Sequence, residues 1–137
     1  RVLVEEWVRG IEISVPVFGD RVLPVVEIVP QSGQYDFANK YTPGATDEIC
    51  PARITPEQTA LAQEYALAAH RAMGCRGTSR TDMIVTADRI VVLEVNTLPG
   101  MTSTSLVPRS AGVAGLSFED LVDGMVKDAL AATSNPD

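Results

Sequence analysis

Cysteine and histidine are scarce in this chain of 137 residues, with two of the first and one of the second. Cys50 and Cys75 lie far apart, and neither has a companion Cys or His at ligand spacing. That excludes a zinc centre built on them and leaves two reduced thiols, in keeping with a cytoplasmic setting. Basic residues are outnumbered as well: eleven Lys and Arg against eighteen Asp and Glu give a net charge of -7. The basic footprint that nucleic acid demands is missing, so nucleic acid is not an expected partner. The apolar runs ISVPVF and VVEIV are broken by Pro or charge within a few residues and never approach the length of a membrane span. No signal-peptide pattern is visible. Also lacking are a GxxxxGK(S/T) motif or any other glycine-rich phosphate loop, an internal repeat and a heptad pattern.

What is present is a folded domain's composition, 45% hydrophobic, at a length that suits one domain or part of a larger one. The chain does not begin with Met, and VLVEEWVRG carries a strand-like pattern from residue 2, which predicts a piece cut at an interdomain crossover. Residues 2–8, 11–18 and 21–29, rich in Val and Ile, read as three strands separated by Gly10 and by Gly19-Asp20. Residues 30–44 have no period and concentrate Pro, Gly, Asn and Gln, so a long surface loop is expected. A short strand is expected within 46–52. Thr55, Pro56 and Gln58 then spell a capping box with Pro at the first helical position, and the helix runs to about Met73 with Gly74 as its stop. Leu61, Tyr65, Ala69 and Met73, four apart, mark its expected apolar face. A short helix falls within SLVPRSAGVAG. A last helix follows Ser117, with Leu116 and Leu121 as a hydrophobic staple and Leu121, Val122, Met125, Val126, Ala129 and Leu130 as its apolar face. Residues 1–132 form the domain and 133–137 a frayed tail. The fold class is α+β, a mostly antiparallel sheet against helices.

Four polar residues stand out in the strands GTSRTDMIV and RIVVLEVN: Arg80 and Asp82 in the first, Glu94 and Asn96 in the second. Residues two apart on a strand share a face. A three-residue loop of Ala87, Asp88 and Arg89 sets Thr86 opposite Ile90, Asp82 opposite Glu94 and Arg80 opposite Asn96. Opposed carboxylates repel, so the pairing calls for a cation. Oxygen ligands from Asp, Glu and Asn suit Mg²⁺ or Mn²⁺. The loop TLPGMTSTS adds a backbone N–H at Gly100 and the hydroxyls of Ser103, Thr104 and Ser105 near a helix start, a site for oxyanions or carboxylates. Arg80 beside such a site suits negative charge that develops in phosphoryl or acyl transfer. Taken singly, each charged pair also fits the solvated face of an edge strand.

Asp82, the run Glu94-Val95-Asn96 and TLPGMTSTSLVP closely resemble the C-terminal part of D-alanine:D-alanine ligases of the ATP-grasp superfamily. The resemblance extends through VEEWVRGIEISV, YDFANKY and GCRGTSRTDMI, nearly the whole chain in order. It implies ATP-dependent joining of two D-alanines through an acyl phosphate for peptidoglycan precursor synthesis, and an ATP-grasp C-terminal fold. By the same resemblance Asp82, Glu94 and Asn96 are ligands for two Mg²⁺ ions, with Glu94 shared. Arg80 stabilises the acyl phosphate and tetrahedral intermediate, and Gly100 offers its N–H to the oxyanion. Ser105 and Leu106 hold the carboxylate of the second D-alanine. Lys40 contacts phosphate, and Tyr41 is tied to the use of D-alanine rather than D-lactate. Glu5, Glu6, Trp7 and Val8 match the hinge that receives adenine, and Glu12 the carboxylate that takes the ribose hydroxyls. Members often carry Lys where this chain has Glu6. The implied partners are ATP, D-alanine, upstream domains of the same ligase and, for the full-length protein, a second copy in a homodimer. Without those domains the chain is expected to be inactive.

Two other readings are carried beside this one: another ATP-grasp carboxylate-amine ligase, and a nucleotide- or metal-binding module without catalysis. Trp7 also fits simple packing at a sheet edge. His70 reads as a surface or half-buried residue, with no acidic or Cys partner at ligand spacing. Met73, Met83 and Met125 read as core fillers.

Overall fold

The computed structural model describes residues 2–30 and 46–133. Lys40 and Tyr41, most of the predicted loop and the last four residues lie outside that set. The described strands are β1 (Ile11–Phe18), β2 (Arg21–Val22), β3 (Val26–Pro30), β4 (Thr46–Ile49), β5 (Thr78–Val85) and β6 (Ile90–Asn96). The helices are α1 (Pro56–Ala72), α2 (Leu106–Val113) and α3 (Phe118–Thr133). The sheet runs β4-β3-β1-β5-β6, with β2 paired to the end of β1, and every pairing is antiparallel. This is the expected α+β architecture. The predicted strand over 21–29 is two strands, because Leu23 and Pro24 break the ladder after the Gly19-Asp20 turn. Residues 2–8 form no strand: they lie largely exposed, and Val2, Leu3 and Val4 find no ladder to join.

β1 is central, and one set of its alternate residues feeds the core beneath α1. Ile13, Val15 and Val17 join Val25, Met83 and Val85 beneath Ala62 and Ala66 of α1. On the opposite face Val26 and Ile28 pack against Leu106, the first residue of α2. Leu23 packs with Val107, Ala111 and Leu121 of α2 and α3. On β3, Glu27 points to the α1 side, where the Arg53 guanidinium pairs with it at 2.7 Å. That pairing holds its carboxyl below the usual range against the opposing effect of burial.

The α1 capping box forms as predicted: the Thr55 hydroxyl accepts from the Gln58 N–H, and the Gln58 side chain accepts from the Thr55 N–H. Gly74 ends the helix at φ 63, a conformation that favours glycine. The buried face is not the predicted one. Ala62, Ala66 and His70 face the sheet, one position along from Leu61, Tyr65, Ala69 and Met73. Small residues let the helix lie close, and the larger apolar side chains are left outside, Met73 being 64% exposed. In α3 only Leu121 of the predicted apolar face is fully buried; Met125 is half-buried, and Val122, Val126, Ala129 and Leu130 are exposed. Ser117 caps that helix by exchanging hydrogen bonds with Asp120.

Candidate active site on the α2 face of the sheet

The β5–β6 hairpin differs from the expected one in two ways that cancel. Its loop has four residues, since Val85 pairs with Ile90, and the Thr86 hydroxyl accepts from the Asp88 and Arg89 N–H groups. That shifts the ladder by one residue through Met83 opposite Val92. A bulge on β6 at Leu93 then restores the expected pairing, with Asp82 opposite Glu94 and Arg80 opposite Asn96. The four polar residues therefore meet on one face.

That face is the one covered by α2. Across it, Val26, Ser14, Asp82 and Glu94 form one row through β3, β1, β5 and β6. Arg80 lies one step along, opposite Pro16 and Asn96. Glu12 lies one step the other way, between Ile28 and Ile84. The Arg80 guanidinium grips Asp82 as a fork, Nε to Oδ1 at 2.9 Å and Nη2 to Oδ2 at 2.8 Å. The side chains are 11% and 17% exposed, so the pair works largely out of water. A third donor comes from Ser14, whose hydroxyl reaches Oδ1 at 2.6 Å. The Asn96 Oδ1 accepts from the Leu98 N–H at 3.0 Å and so turns the chain into the next loop.

The loop returns to α2 through a small hydroxyl cluster. The Ser105 Oγ accepts from the Thr102 N–H at 3.0 Å and lies 2.9 Å from the Thr102 hydroxyl. Ser105 is the residue before the first turn of α2, and its side chain makes no cap bond to that turn. Gly100 is held against it: a Cβ there would fall 2.8 Å from the Ser105 Oγ. Beside Ser105, Leu106 anchors the start of α2 to Val26 and Ile28. On the same face Glu48 of β4 sits 3.0 Å from the Arg109 guanidinium of α2. Burial raises the Glu48 carboxyl above its usual value, against the pull of Arg109 and Arg80.

Among the predicted site residues, Arg80, Asp82, Glu94 and Asn96 come together, and Glu12, Gly100, Ser105 and Leu106 share their side of the sheet or the loop that reaches it. Glu5, Glu6, Trp7 and Val8 lie on the N-terminal segment ahead of β1, outside any strand. Trp7 is 74% exposed, which removes the sheet-edge alternative. Glu6 pairs with Arg89 of the hairpin loop at 2.6 Å, an acidic partner for that arginine at the position where lysine is often found. Among the described residues no group of three or more His, Cys, Asp or Glu gathers into a metal cage. Two opposed carboxylates with an adjacent amide do form an all-oxygen donor set that suits a hard cation. Sequence reasoning missed Ser14; its signal is a lone hydroxyl in the middle of an apolar strand. His70 proves buried, its Nδ1 2.7 Å from the Ser79 hydroxyl.

A family model describing the D-ala D-ala ligase C-terminus matches residues 1–127. The chain belongs to this family. It is 52% identical over 135 residues to a D-alanine–D-alanine ligase of Syntrophobacter fumaroxidans, covering 95% of this chain and 43% of that protein. It is 52% identical over 132 residues to one from Erythrobacter litoralis, covering 93% of this chain and 41% of that protein. Among solved structures, the Bacillus anthracis D-alanine–D-alanine ligase complexed with ATP superposes with a TM-score of 0.79 at 31% identity, over 93% of this chain and 40% of that one. The VanG D-Ala:D-Ser ligase of Enterococcus faecalis superposes at 0.74 with 38% identity, over 89% of this chain and 37% of that one. This ligase C-terminal chain thus spans about two fifths of the length of the relatives it matches. Among its described residues no helix is long and apolar enough to cross a membrane.

Proposed function

We propose that the chain supplies the metal-binding and phosphate-facing wall of a ligase that joins two D-alanines at the expense of ATP, for peptidoglycan precursor synthesis. A carboxylate is a poor electrophile at neutral pH. Transfer of the γ-phosphoryl group to the first D-alanine releases ADP and leaves an acyl phosphate; the second amine then attacks the carbonyl carbon, and phosphate departs with loss of a proton from nitrogen. Asp82, Glu94 and Asn96 fit Mg²⁺ or Mn²⁺ through oxygen alone and would hold two ions, with Glu94 shared. Such ions, when bound, neutralise phosphate charge and align the reacting oxygens. Arg80 would turn its charged fork from Asp82 to the acyl phosphate, and the Gly100 N–H would face the carbonyl oxygen as it gains charge. Ser105 and Leu106, at the start of α2, receive the acceptor carboxylate. The segment Glu5–Val8 and Glu12 receive adenine and ribose, while Lys40 and Tyr41 serve phosphate and acceptor choice.

The observation that carries this reading is the in-register pairing of Asp82 with Glu94 beside Arg80, on the face that α2 covers, in a chain of this family. Two assays test it. In the complete protein carrying this segment, D-alanine and ATP with Mg²⁺ should release phosphate, and Asp82→Ala should abolish that release. The 137-residue chain alone should release none, because one wall of the cleft cannot enclose both substrates. D-alanine-independent ATP hydrolysis by the complete protein would sink the ligase reading. The match to a D-Ala:D-Ser ligase at 38% identity supports a second reading in which D-serine is the acceptor. Competition between D-alanine and D-serine for the acceptor site decides between them.

A further inference from the structure

Ser14 has an unfavourable position unless its hydroxyl is used. It sits in the central strand, 1% exposed, between Ile13 and Val15, which are wholly buried. A buried hydroxyl without a partner is costly, and valine or alanine would suit the strand as well. Its O–H instead donates to Asp82 Oδ1 at 2.6 Å, in the range of charge-assisted bonds to an ionised carboxylate. The strand register makes this contact, since Ser14 stands directly opposite Asp82.

We propose that Ser14 is a positioning residue for Asp82, orienting its carboxylate so that Oδ2 keeps the lone pair offered to a cation shared with Glu94. A carboxylate has about four acceptor sites, two on each oxygen. On Oδ1 both are taken, one by Ser14 and one by the Arg80 Nε. On Oδ2 the Arg80 Nη2 takes one. Arg80 alone cannot fix this orientation during turnover if it turns to the reacting group, as the proposed function requires. Ser14 stays, because it is built into the central strand. The inference rests on the metal role given to Asp82.

The test is Mn²⁺ binding, read from the free-ion electron paramagnetic resonance signal, in the complete protein with a non-hydrolysable ATP analogue. Ser14→Ala should weaken Mn²⁺ binding about 10–100-fold, as loss of an outer-shell partner does. Ser14→Thr keeps the hydroxyl and should stay within about threefold of the parent on the same scale. Urea unfolding of both variants separates loss of fold from loss of orientation. Unchanged Mn²⁺ affinity in Ser14→Ala, or an equal loss in Ser14→Thr, overturns the proposal. Asp82→Ala is run beside them: if it too binds Mn²⁺ like the parent, the metal role of Asp82 fails and this inference with it. If only Ser14→Ala is silent, the role of Ser14 fails alone.

Discussion

Asp82 and Glu94 oppose each other because β6 carries one extra residue, Leu93, between Val92 and Glu94. Continued without that bulge, the register near the loop would set Glu94 against Thr81, which is fully buried on the α1 side. The bulge turns it to the face that carries Asp82 and Arg80.

Opposed carboxylates destabilise a strand pair, so Glu94→Gln should stabilise the metal-free protein by about 0.2–1 kcal/mol. The same change should weaken Mn²⁺ binding. Urea unfolding without divalent ions, together with a Mn²⁺ titration, checks the two opposite signs. Loss of stability in the metal-free state would count against the repulsion.

The Arg80–Asp82 fork is largely shielded from water, and removing one partner of such a pair leaves an uncompensated charge. Arg80→Ala should cost about 2–3 kcal/mol, somewhat below the range of about 3–5 kcal/mol for fully buried pairs because some solvent reaches both groups. Arg80→Lys keeps the charge but not the planar fork and should recover stability in part, while ligase activity stays low. Chemical denaturation and phosphate release measure the two effects separately.

Gly100→Ala would drive a methyl group to 2.8 Å from the Ser105 Oγ and push Ser105 off its bonds to Thr102. If these residues hold the acceptor as proposed, a shift on this scale should lower kcat/KM for the acceptor amino acid by about 10–100-fold. Steady-state kinetics with the acceptor varied tests this, and an unchanged kcat/KM would remove Gly100 and Ser105 from the acceptor site.

His70 titrates below its ordinary value of 6.5 because burial disfavours the imidazolium, with Asp20 opposing that effect and Arg71 adding to it. The unfolded chain therefore takes up the proton first. The His70 contribution to stability is intact above about pH 6.5 and is lost as pH falls from there toward the folded-state value. His70→Gln lacks this slope, so the stability gap between parent and variant should be widest near pH 7 and should narrow toward pH 5. A gap independent of pH would show that His70 titrates alike in the folded and unfolded chains, so that burial does not shift it.

Periodicity and local chemistry were legible where a single face or a single turn decides the outcome. The alternation of β5, the capping box at Thr55 and the stop at Gly74 are properties of a few neighbouring residues. The apolar stripe of α1 was not, because Ala62 and Ala66 present little hydrophobic signal and bury well only when a flat sheet lies against them. Residues 2–8 carry a strand's composition but have no ladder, and a strand exists only in its pairing.

The sequence by itself determined which groups the site has: Arg80 and Asp82 two apart, Glu94 and Asn96 two apart, and Gly100 to Leu106 next in line. Alternation along each strand places every pair on one face, since side-chain direction follows from the backbone. Hairpin pairing already set the two pairs opposite each other; tertiary structure decided the means, a four-residue loop offset by the Leu93 bulge. It alone brought Ser14 onto Asp82 across 68 residues of sequence. Register between strands is set by packing on both faces of the sheet, and no local stretch of chain contains that information.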